Sequence, residues 1–468
     1  MTSGLDQQVV AELATIVGAE HVLTNGAAVE PYSHDETPGL RGFPDVVVRP
    51  GCAEEIAAIL RLAAQRRIGV TARGGGQGLS GGAVPTEGGI VLSVERLNRI
   101  LEIDHENLMV TVEPGVVTGD LHRAVEAEGL FYPPDPASLD SCLLGGNIAE
   151  GAGGPRAVKY GTTKDYVSGL QVVFANGEVA DLGGKLVKNV AGYNLIQLIV
   201  GSEGTLGIVT RMTLRLLPLP KAQVDLLVPF EDIQHAADTV SAIIARCIVP
   251  TTIEFMEREV VKASERLLGK PVPFSDAAAT LLIQLTGRRQ EEVEADMEEV
   301  GDLCLEHGAL DVLVAQDRPT RDRLWEARRI IIEALKHESP VNRTEDLSVP
   351  RAEIPALLRG VHEVAGRVGL EMLCFGHAGD GNVHVNLMKY DLPEAVWYER
   401  LPLAQAALYR LALSLGGTIT GEHGIGATRR GFLVEAVGAP AVGAMRAIKQ
   451  ALDPLGILNP GKVFPPTV

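Results

Sequence analysis

The chain has few cysteines, and none of them is placed to share a metal. Its 468 residues include five, at Cys52, Cys142, Cys247, Cys304 and Cys374, and no two of them form a Cys-x-x-Cys pair. Zinc ribbons and iron–sulfur clusters need closely spaced thiolates, so this spacing argues against either site within this chain. An odd number of scattered cysteines also indicates a reducing compartment.

Basic and aromatic residues are also scarce. There are 42 lysines and arginines against 60 aspartates and glutamates, a formal net charge of −18, and aromatic residues make up 4% of the chain. Nucleic-acid-binding surfaces need a basic footprint and often use aromatic stacking, so we expect no nucleic-acid partner. The composition still allows a local basic pocket for an acidic substrate.

Long apolar stretches are missing as well. No run approaches the ~20 residues that span a bilayer, and the N-terminus has neither the basic region nor the apolar core of a secretion signal. The sequence therefore predicts a soluble, cytoplasmic protein with no transmembrane segment, and it leaves a peripheral association with a membrane open.

Glycine, by contrast, is abundant and clustered. Many of the 52 glycines fall in three clusters, at 73–82, 144–154 and 201–207. Glycine costs conformational entropy on folding, so such clusters indicate positive φ or a close backbone approach to a ligand; ordinary surface turns are the alternative. The first cluster has the Gly-x-Gly-x-x-Gly spacing of dinucleotide-binding loops, but residues 82–89 cannot form the helix that such a loop requires. A backbone nest for a phosphate-bearing cofactor remains.

The chain divides near the proline-rich connection at 218–220. Short strands and helices alternate before it. After it, the apolar pattern follows the β-α-β…β-α-β order of ferredoxin-like sandwiches. Strands are expected there at 224–228, 251–255, 279–285 and 310–314, and helices at 233–246, 291–307 and 321–337. We therefore predict an α+β fold with domains at 1–220 and 221–425, and a C-terminal segment, 426–468, that returns to the first domain.

A second constellation lies late in the chain. His377, His384 and His423 are three of the eleven histidines, and Glu422 precedes the last of them. Apolar alternation around His384 predicts a strand that points His384 and Asn386 to the same face. Two histidines and a carboxylate can hold a divalent metal with open positions for a substrate. Buried structural histidines are the alternative, although the clustering among glycines favours a site.

Several motifs resemble the flavin-binding domain of the vanillyl-alcohol oxidase / p-cresol methylhydroxylase superfamily. They are the three glycine clusters, Tyr132-Pro-Pro-Asp-Pro136 and Tyr160-Gly161, in order over roughly residues 40–220. The resemblance implies a two-part FAD-binding domain, with the FAD diphosphate near 74–80 and the ring near 145–154. Some members attach the flavin through His or Cys. Gln77 stands in the first loop here, so we expect non-covalent FAD.

The same resemblance implies a set of cofactor-binding residues. They are Arg73, Gly74, Gly75, Gly76, Gln77, Gly78, Leu79, Ser80, Pro134, Asp135, Pro136, Ser141, Gly145, Gly146, Asn147, Ala149, Gly153, Gly154, Tyr160, Gly161, Glu203, Gly207, Ile208 and Asn459.

The late motifs are similar to the signatures of the FAD-linked 2-hydroxyacid dehydrogenases, a branch with D-lactate dehydrogenase, the flavin subunit of glycolate oxidase and D-2-hydroxyglutarate dehydrogenase. The motifs span 376–384 and 421–426. The resemblance implies a divalent metal, zinc first with manganese or iron as alternatives. The roles that it implies are metal ligands at His377, His384 and Glu422, a catalytic base at His423, and substrate contacts at Arg328, Asn386 and, with a one-residue uncertainty, Arg343 or Thr344.

The implied reaction is FAD-dependent oxidation of a small D-2-hydroxy acid, of the D-lactate or glycolate type, to the 2-oxo acid. The metal would lower the pKa of the substrate hydroxyl, a histidine would take its proton, and the hydride would pass to flavin N5. Hydroxyglutarate enzymes grip the distal carboxylate with hydroxyl and amine groups. Ile332 and position 343 or 344 depart from that pattern, which disfavours a dicarboxylate.

Other functions stay open from the sequence. The chain is alternatively the flavin subunit of a multi-chain glycolate oxidase whose partner subunits carry iron–sulfur clusters, or a D-2-hydroxyglutarate dehydrogenase. A metal-independent oxidase of phenolic alcohols is the alternative of another class. Electrons must leave to an external acceptor, a quinone, a redox protein or oxygen, and a homodimer is left open.

Overall fold

Strands and helices alternate along the chain in the computed structural model, which describes residues 5–466. The strands of this range are β1 (Val22–Leu23), β2 (Val46–Val48), β3 (Val70–Arg73), β4 (Ile90–Ser93), β5 (Ile100–Asp104), β6 (Met109–Val112), β7 (Leu130–Phe131), β8 (Val167–Val173), β9 (Val179–Gly183), β10 (Ile208–Arg215), β11 (Leu217–Pro218), β12 (Ala222–Phe230), β13 (Thr252–Glu257), β14 (Ala279–Gly287), β15 (Leu313–Ala315), β16 (Asn342–Ser348), β17 (Glu371–His377) and β18 (Asn382–Met388).

The α-helices of the same range are α1 (Gln7–Val17), α2 (Gly26–Val29), α3 (Ala53–Arg66), α4 (Thr118–Ala127), α5 (Leu144–Glu150), α6 (Ala157–Tyr160), α7 (Leu195–Ile199), α8 (Ile233–Ala245), α9 (Arg258–Leu268), α10 (Gln290–Glu306), α11 (Arg318–Arg329), α12 (Ile331–Glu338), α13 (Ile354–Val368), α14 (Glu394–Ser414), α15 (Leu433–Val437) and α16 (Ala439–Leu452). Among the described residues, no helix combines the length and the apolar character needed to cross a membrane.

The chain separates into two units. The first contains the residues up to Ala152, Thr162–Leu219, and the chain from Glu422 onward; the second contains Gly153–Gly161 and Pro220–Gly421. The domain boundaries that the sequence places at 220 and 425 remain predictions, separate from this division into units.

Two main sheets build the first unit. The first sheet has the order β1-β2-β4-β3, in which β4 runs parallel to both β2 and β3, and the second is antiparallel with the order β5-β6-β10-β8-β9. Apolar residues at helical spacing on α3, among them Ile56, Ile59 and Leu60, are fully buried in the core. Residues 74–89 form turns and bends that lead into β4, as expected of a loop without the helix of a Rossmann site.

The chain returns to this unit near its end. Val70 of β3 donates a backbone hydrogen bond to Ile457 (2.7 Å), and Asn459 donates one to Val70 (2.7 Å). Leu458 is fully buried in the same core. Residues 457–459 therefore lie beside β3, although almost the whole chain separates them in sequence.

One antiparallel sheet of seven strands builds the second unit, in the order β15-β12-β14-β13-β17-β18-β16. The first four strands, with α8 and α10, form the ferredoxin-like arrangement that the sequence predicts. The sheet then continues through β17, β18 and β16, of which only β18 was expected. β17 is buried on both faces almost throughout, so its apolar run carries little of the alternation that identifies a strand.

The helix expected at 321–337 is two helices, α11 and α12, separated at Ile330. α11 begins earlier than expected, because the side chain of Asp317 caps it by accepting from the Thr320 N–H (2.9 Å), and Pro319 stands in the first turn. α9 was not expected from the sequence.

Candidate active site

The three glycine clusters of the first unit lie against one another. A Cβ on Gly75 would come within 2.7 Å of the Ser141 carbonyl oxygen, so only glycine allows this approach. Gly201 donates to the Ile148 carbonyl (2.9 Å), and Glu203 donates to the Ala149 carbonyl (2.8 Å). We call this backbone-lined surface, formed by residues 74–82, 141–149 and 201–207, the glycine cradle.

Asn459 ties two parts of the cradle together. Its side-chain nitrogen donates to the carbonyls of Gly82 (3.0 Å) and Glu203 (2.7 Å). Its Oδ1 and the Ser80 hydroxyl are buried and have no hydrogen-bond partner within residues 5–466. Buried polar atoms of this kind need a partner. A cradle of backbone amides with such atoms fits a cofactor rich in hydrogen-bonding groups, as FAD is.

Glu203, implied as a cofactor contact, holds another part of the chain. Its carboxylate accepts from the backbone N–H groups of Ile425 (2.8 Å) and Gly426 (2.7 Å). It thereby fixes the turn that follows Glu422 and His423, whose side chains approach to 3.9 Å. The prediction from the sequence did not include this role, because nothing in the sequence connects positions more than 200 residues apart.

A second buried carboxyl group lies beside this turn. A Cβ on Gly424 would lie 2.2 Å from Oε2 of Glu150 and 3.1 Å from Oε1 of Glu203, which places both carboxyl groups next to Gly424. Burial raises the pKa of Glu150 well above its usual value, and the charges of Glu203 and Asp35 raise it further. Burial also raises the pKa of Glu203.

The other implied cofactor residues have varied surroundings. Arg73 donates to the carbonyls of His34 (2.7 Å) and Pro31 (3.0 Å), and Asn147 donates to the Thr118 hydroxyl (2.7 Å). These two side chains therefore support the protein's own backbone and helix packing. Gly76, Gln77, Gly78 and Leu79 continue the first loop, Pro134, Asp135 and Pro136 lie in the coil after β7, and Gly207 and Ile208 lie at the start of β10.

Four implied cofactor residues, Gly153, Gly154, Tyr160 and Gly161, belong to the second unit. The hydroxyl of Tyr160 lies 3.5 Å from that of Thr286. A Cβ on Gly379 would meet the side chain of Val158 at 2.9 Å. The segment 153–161 thus lies beside the turn that follows His377.

His377 and His384 are neighbours on the seven-stranded sheet. His377 ends β17 and His384 lies in β18; both are buried, and their ring centroids are 5.2 Å apart, edge to face. The turn between them needs glycine at 381, where φ is +91° and a Cβ would come within 2.1 Å of the Val349 carbonyl oxygen. The structure thus brings the two predicted histidine ligands together.

A buried carboxylate stands behind His377. Glu254 of β13 is fully buried, and Nδ1 of His377 donates to its two oxygens at 2.8 and 3.0 Å. Arg328 of α11 also contacts it, with Nη2 2.5 Å from Oε2. Burial alone would raise the pKa of Glu254, but the interactions with His377 and Arg328 outweigh burial, so its pKa is lowered.

Asp346 of β16 has a similar place behind His384. It is fully buried, and one of its oxygens lies 3.6 Å from Nδ1 of His384. Its carboxylate accepts from the hydroxyl of Thr420 (2.7 Å) and from the N–H of Gly421 (2.9 Å). Asp346 therefore anchors Thr420 and Gly421, the last residues of the second unit.

The sheet separates Arg343 from Thr344. Thr344 pairs with Asn386 across β16 and β18, and its hydroxyl donates to the Asn386 side chain at 2.8 Å. Arg343 faces the other side of the sheet, where it donates to Glu345 (3.1 Å). Of the two positions that the sequence left open, Thr344 is the one beside Asn386 and on the face of His384.

Glu254 and Asp346 were missed from the sequence. Each is an acidic residue inside an otherwise buried strand, and such residues are rare without a partner. An acidic residue in a buried strand can be recognised as a candidate site residue, but its partner cannot, because Glu254 and His377 are 123 residues apart.

Comparisons with known proteins identify the family of this chain. Residues 219–463 match the family described as "FAD linked oxidases, C-terminal domain", and residues 44–183 match the family described as "FAD binding domain". The glycolate oxidase subunit GlcD of Bacillus subtilis is 44% identical over 453 residues, which cover 97% of this chain and 96% of the relative. The D-lactate dehydrogenase of Archaeoglobus fulgidus is 41% identical, with 93% and 95% covered. The D-2-hydroxyglutarate dehydrogenase of Stutzerimonas stutzeri is 33% identical, with 98% and 99% covered.

Solved structures confirm the predicted fold. p-Cresol methylhydroxylase with bound substrate gives a TM-score of 0.80 at 19% identity, covering 98% of this chain and 96% of that one. The 4-ethylphenol oxidase of Gulosibacter chungangensis gives 0.80 at 21% identity, covering 99% and 98%. At these identities the likeness concerns the fold alone.

Proposed function

Since the chain belongs to the FAD-linked oxidases, we propose that it oxidises a small D-2-hydroxy acid, of the D-lactate or glycolate type, to the 2-oxo acid, with non-covalently bound FAD. The observation that carries the proposal is the pair His377 and His384, each in front of a fully buried carboxylate. Relatives named for glycolate, D-lactate and D-2-hydroxyglutarate support the substrate class.

We infer that His377, His384 and Glu422 hold a divalent metal, zinc first, with manganese and iron as alternatives. Two imidazoles and one carboxylate suit such an ion and leave positions for a substrate. The two rings are adjacent, and Asp346 anchors Gly421 immediately before Glu422. When bound, such an ion polarises the substrate oxygens and lowers the pKa of the hydroxyl.

The chain's own residues bind the substrate and move one proton. Arg328 offers a planar guanidinium that suits a carboxylate, and Asn386, oriented by Thr344, offers an amide. His423 takes the hydroxyl proton at an imidazole nitrogen, a suitable base near neutral pH. FAD, when bound, supplies the hydride acceptor that side chains lack.

We propose a monocarboxylate rather than a dicarboxylate substrate. The Thr344 hydroxyl already donates its hydrogen bond to Asn386, and Ile332 is apolar. Arg343 faces the other side of the sheet, so none of the three offers a donor to a second carboxylate. D-2-Hydroxyglutarate is the alternative, and oxidation of phenolic alcohols without a metal is the alternative of another class.

A second reading concerns assembly. The B. subtilis relative is named a subunit, and the five cysteines of this chain give no cluster-binding spacing. We therefore propose that electrons leave to an external acceptor, a quinone, a redox protein or oxygen, and that partner subunits with iron–sulfur clusters are the alternative route. A cytoplasmic location and a homodimer stay predictions.

Anaerobic titration tests the substrate. We expect D-lactate or glycolate to bleach the flavin band near ~450 nm, a property of the oxidised cofactor, whereas D-2-hydroxyglutarate and a phenolic alcohol leave it unchanged. Bleaching by D-2-hydroxyglutarate alone would reassign the substrate, and no bleaching by any hydroxy acid would refute the proposal.

Two controls separate the alternatives. Chelation should abolish turnover while the flavin stays bound, and zinc should restore it; turnover that survives chelation favours the metal-independent reading. If the purified chain alone reduces a dye, it does not require partner subunits for activity.

A further inference from the structure

The carboxylate of Glu254 contacts both His377, a proposed metal ligand, and Arg328, a proposed substrate contact. It pairs directly with His377 across β13 and β17, so the two side chains lie on the same face of the sheet. Oε1 accepts from His377, and Oε2 lies 3.0 Å from His377 and 2.5 Å from Arg328. The side chain is fully buried.

We propose that Glu254 is a positioning residue that orients His377 for metal binding and Arg328 for substrate binding at the same time. The inference rests on the proposed function, and it adds a residue that neither the sequence motifs nor the ligand set contains. Glu254 itself contacts neither metal nor substrate in this proposal.

The hydrogen bond decides which nitrogen of His377 faces a metal. A carboxylate beside a guanidinium only accepts hydrogen bonds, so Nδ1 of His377 carries the proton and Nε2 is the nitrogen with the lone pair. Such carboxylate–histidine pairs fix the tautomer and the ring plane of metal-binding histidines.

The same carboxylate holds Arg328. The guanidinium lies over the Phe375 ring, 4.8 Å from its centroid, with Glu254 at its edge. Phe375 pairs with His384 across β17 and β18, with ring centroids 5.1 Å apart. Ring, guanidinium and carboxylate therefore leave Arg328 little rotational freedom, so loss of Glu254 should disturb metal binding and substrate binding together.

The same strand provides a matched control. Glu257 is also buried and accepts from His362 (2.9 Å) and from the N–H of Cys374 (2.8 Å). It lies on the opposite face of the sheet from Glu254, and His362 is not among the proposed ligands. Glu257→Gln therefore makes the same chemical change at a buried glutamate whose histidine partner, His362, is half exposed.

The experiment compares the flavin-containing wild type, Glu254→Gln and Glu257→Gln after chelation. Zinc is titrated by calorimetry, flavin content reports folding, and KM is measured at saturating zinc. We expect Glu254→Gln to bind zinc about 10–100-fold more weakly and to show a raised KM, whereas Glu257→Gln matches the wild type in both.

The outcomes are distinct. Wild-type zinc affinity in Glu254→Gln overturns the inference and leaves the proposed function intact. Weakened zinc with unchanged KM overturns the part that concerns Arg328. If the wild type binds no zinc, both the proposed metal site and the role of Glu254 are overturned. The proposed oxidation of a hydroxy acid is then still tested separately, by bleaching of the flavin band. If Glu254→Gln yields no flavoprotein, Glu254→Asp takes its place, for which weaker zinc binding is expected and unchanged binding overturns the inference.

Discussion

The hydroxyl of Thr344 donates a 2.8 Å hydrogen bond to the side-chain oxygen of Asn386. This bond fixes the amide of Asn386 on the sheet face that carries His384, while the neighbouring Arg343 turns to Glu345 on the other face. Thr344 thus lies on the face of the candidate site, whereas the adjacent Arg343 lies in the core beneath α14.

Thr344→Val should raise KM by about 3–10-fold, the effect of losing one hydrogen bond, with little change in melting temperature. Arg343→Met should do the opposite, because it leaves the buried Glu345 without its cationic partner and lowers the melting temperature at unchanged KM. Steady-state kinetics and thermal unfolding of both variants check this pair. A raised KM in Arg343→Met would move the substrate contact back to Arg343.

Gly146→Ala should release FAD without destabilising the chain. Nothing in the protein lies within 4 Å of the position that the new Cβ would take, and alanine suits the helix α5 better than glycine. If the flavin ring lies near 145–154, the methyl group meets the ring instead. Flavin content and melting temperature are the measurements.

Gly443→Ala is the matched control for this variant, since that glycine is also inside a helix, α16, with nothing within 4 Å of a Cβ. It should retain full flavin. Full flavin content in Gly146→Ala would place the ring elsewhere.

Glu150→Gln should stabilise the protein at neutral pH. The pKa of Glu150 is raised, first by burial, so the folded state holds a proton that the unfolded state loses above its ordinary pKa of 4.5. The stability from this group is therefore complete below that value and is lost as pH rises through the folded pKa, by about 1.4 kcal/mol for each unit of difference. Glutamine cannot ionise and avoids the loss.

The melting temperatures of wild type and Glu150→Gln should therefore coincide near pH 4.5 and separate as pH rises to 8. Glu106→Gln, at an exposed position in the β5–β6 turn, should show no such separation. A constant difference between wild type and Glu150→Gln at all pH values would mean that Glu150 does not hold the proton.

His423→Ala should keep its FAD and lose about 10²–10⁴-fold in turnover, the usual effect of removing a general base. The exposed His105, changed to alanine, provides the control and should keep full activity. Undiminished turnover in His423→Ala, measured with dye under saturating substrate, would remove His423 from the proposed mechanism.

The sequence predicted those features whose cause is local. Alternation around His384 predicted β18 and the shared face of His384 and Asn386. The glycine clusters indicated a backbone-lined cradle, and in the structure a Cβ at Gly75 would have no space. The partners of Glu254 and Asp346 could not be predicted, since the pairing of β13 with β17 and of β16 with β18 depends on the whole sheet. The roles of ligands and base came from resemblance rather than from spacing.

The backbone pairing of Val70 with residues 457–459 orders events during synthesis. The sheet that contains β3 cannot acquire its last neighbour until the ribosome has made Asn459, whereas every strand of the seven-stranded sheet has left the ribosome well before that point. The first sheet is therefore incomplete until the end of the chain has been made, and nascent chains stalled short of residue 457 should leave the backbone edge of β3 at Val70 unpaired.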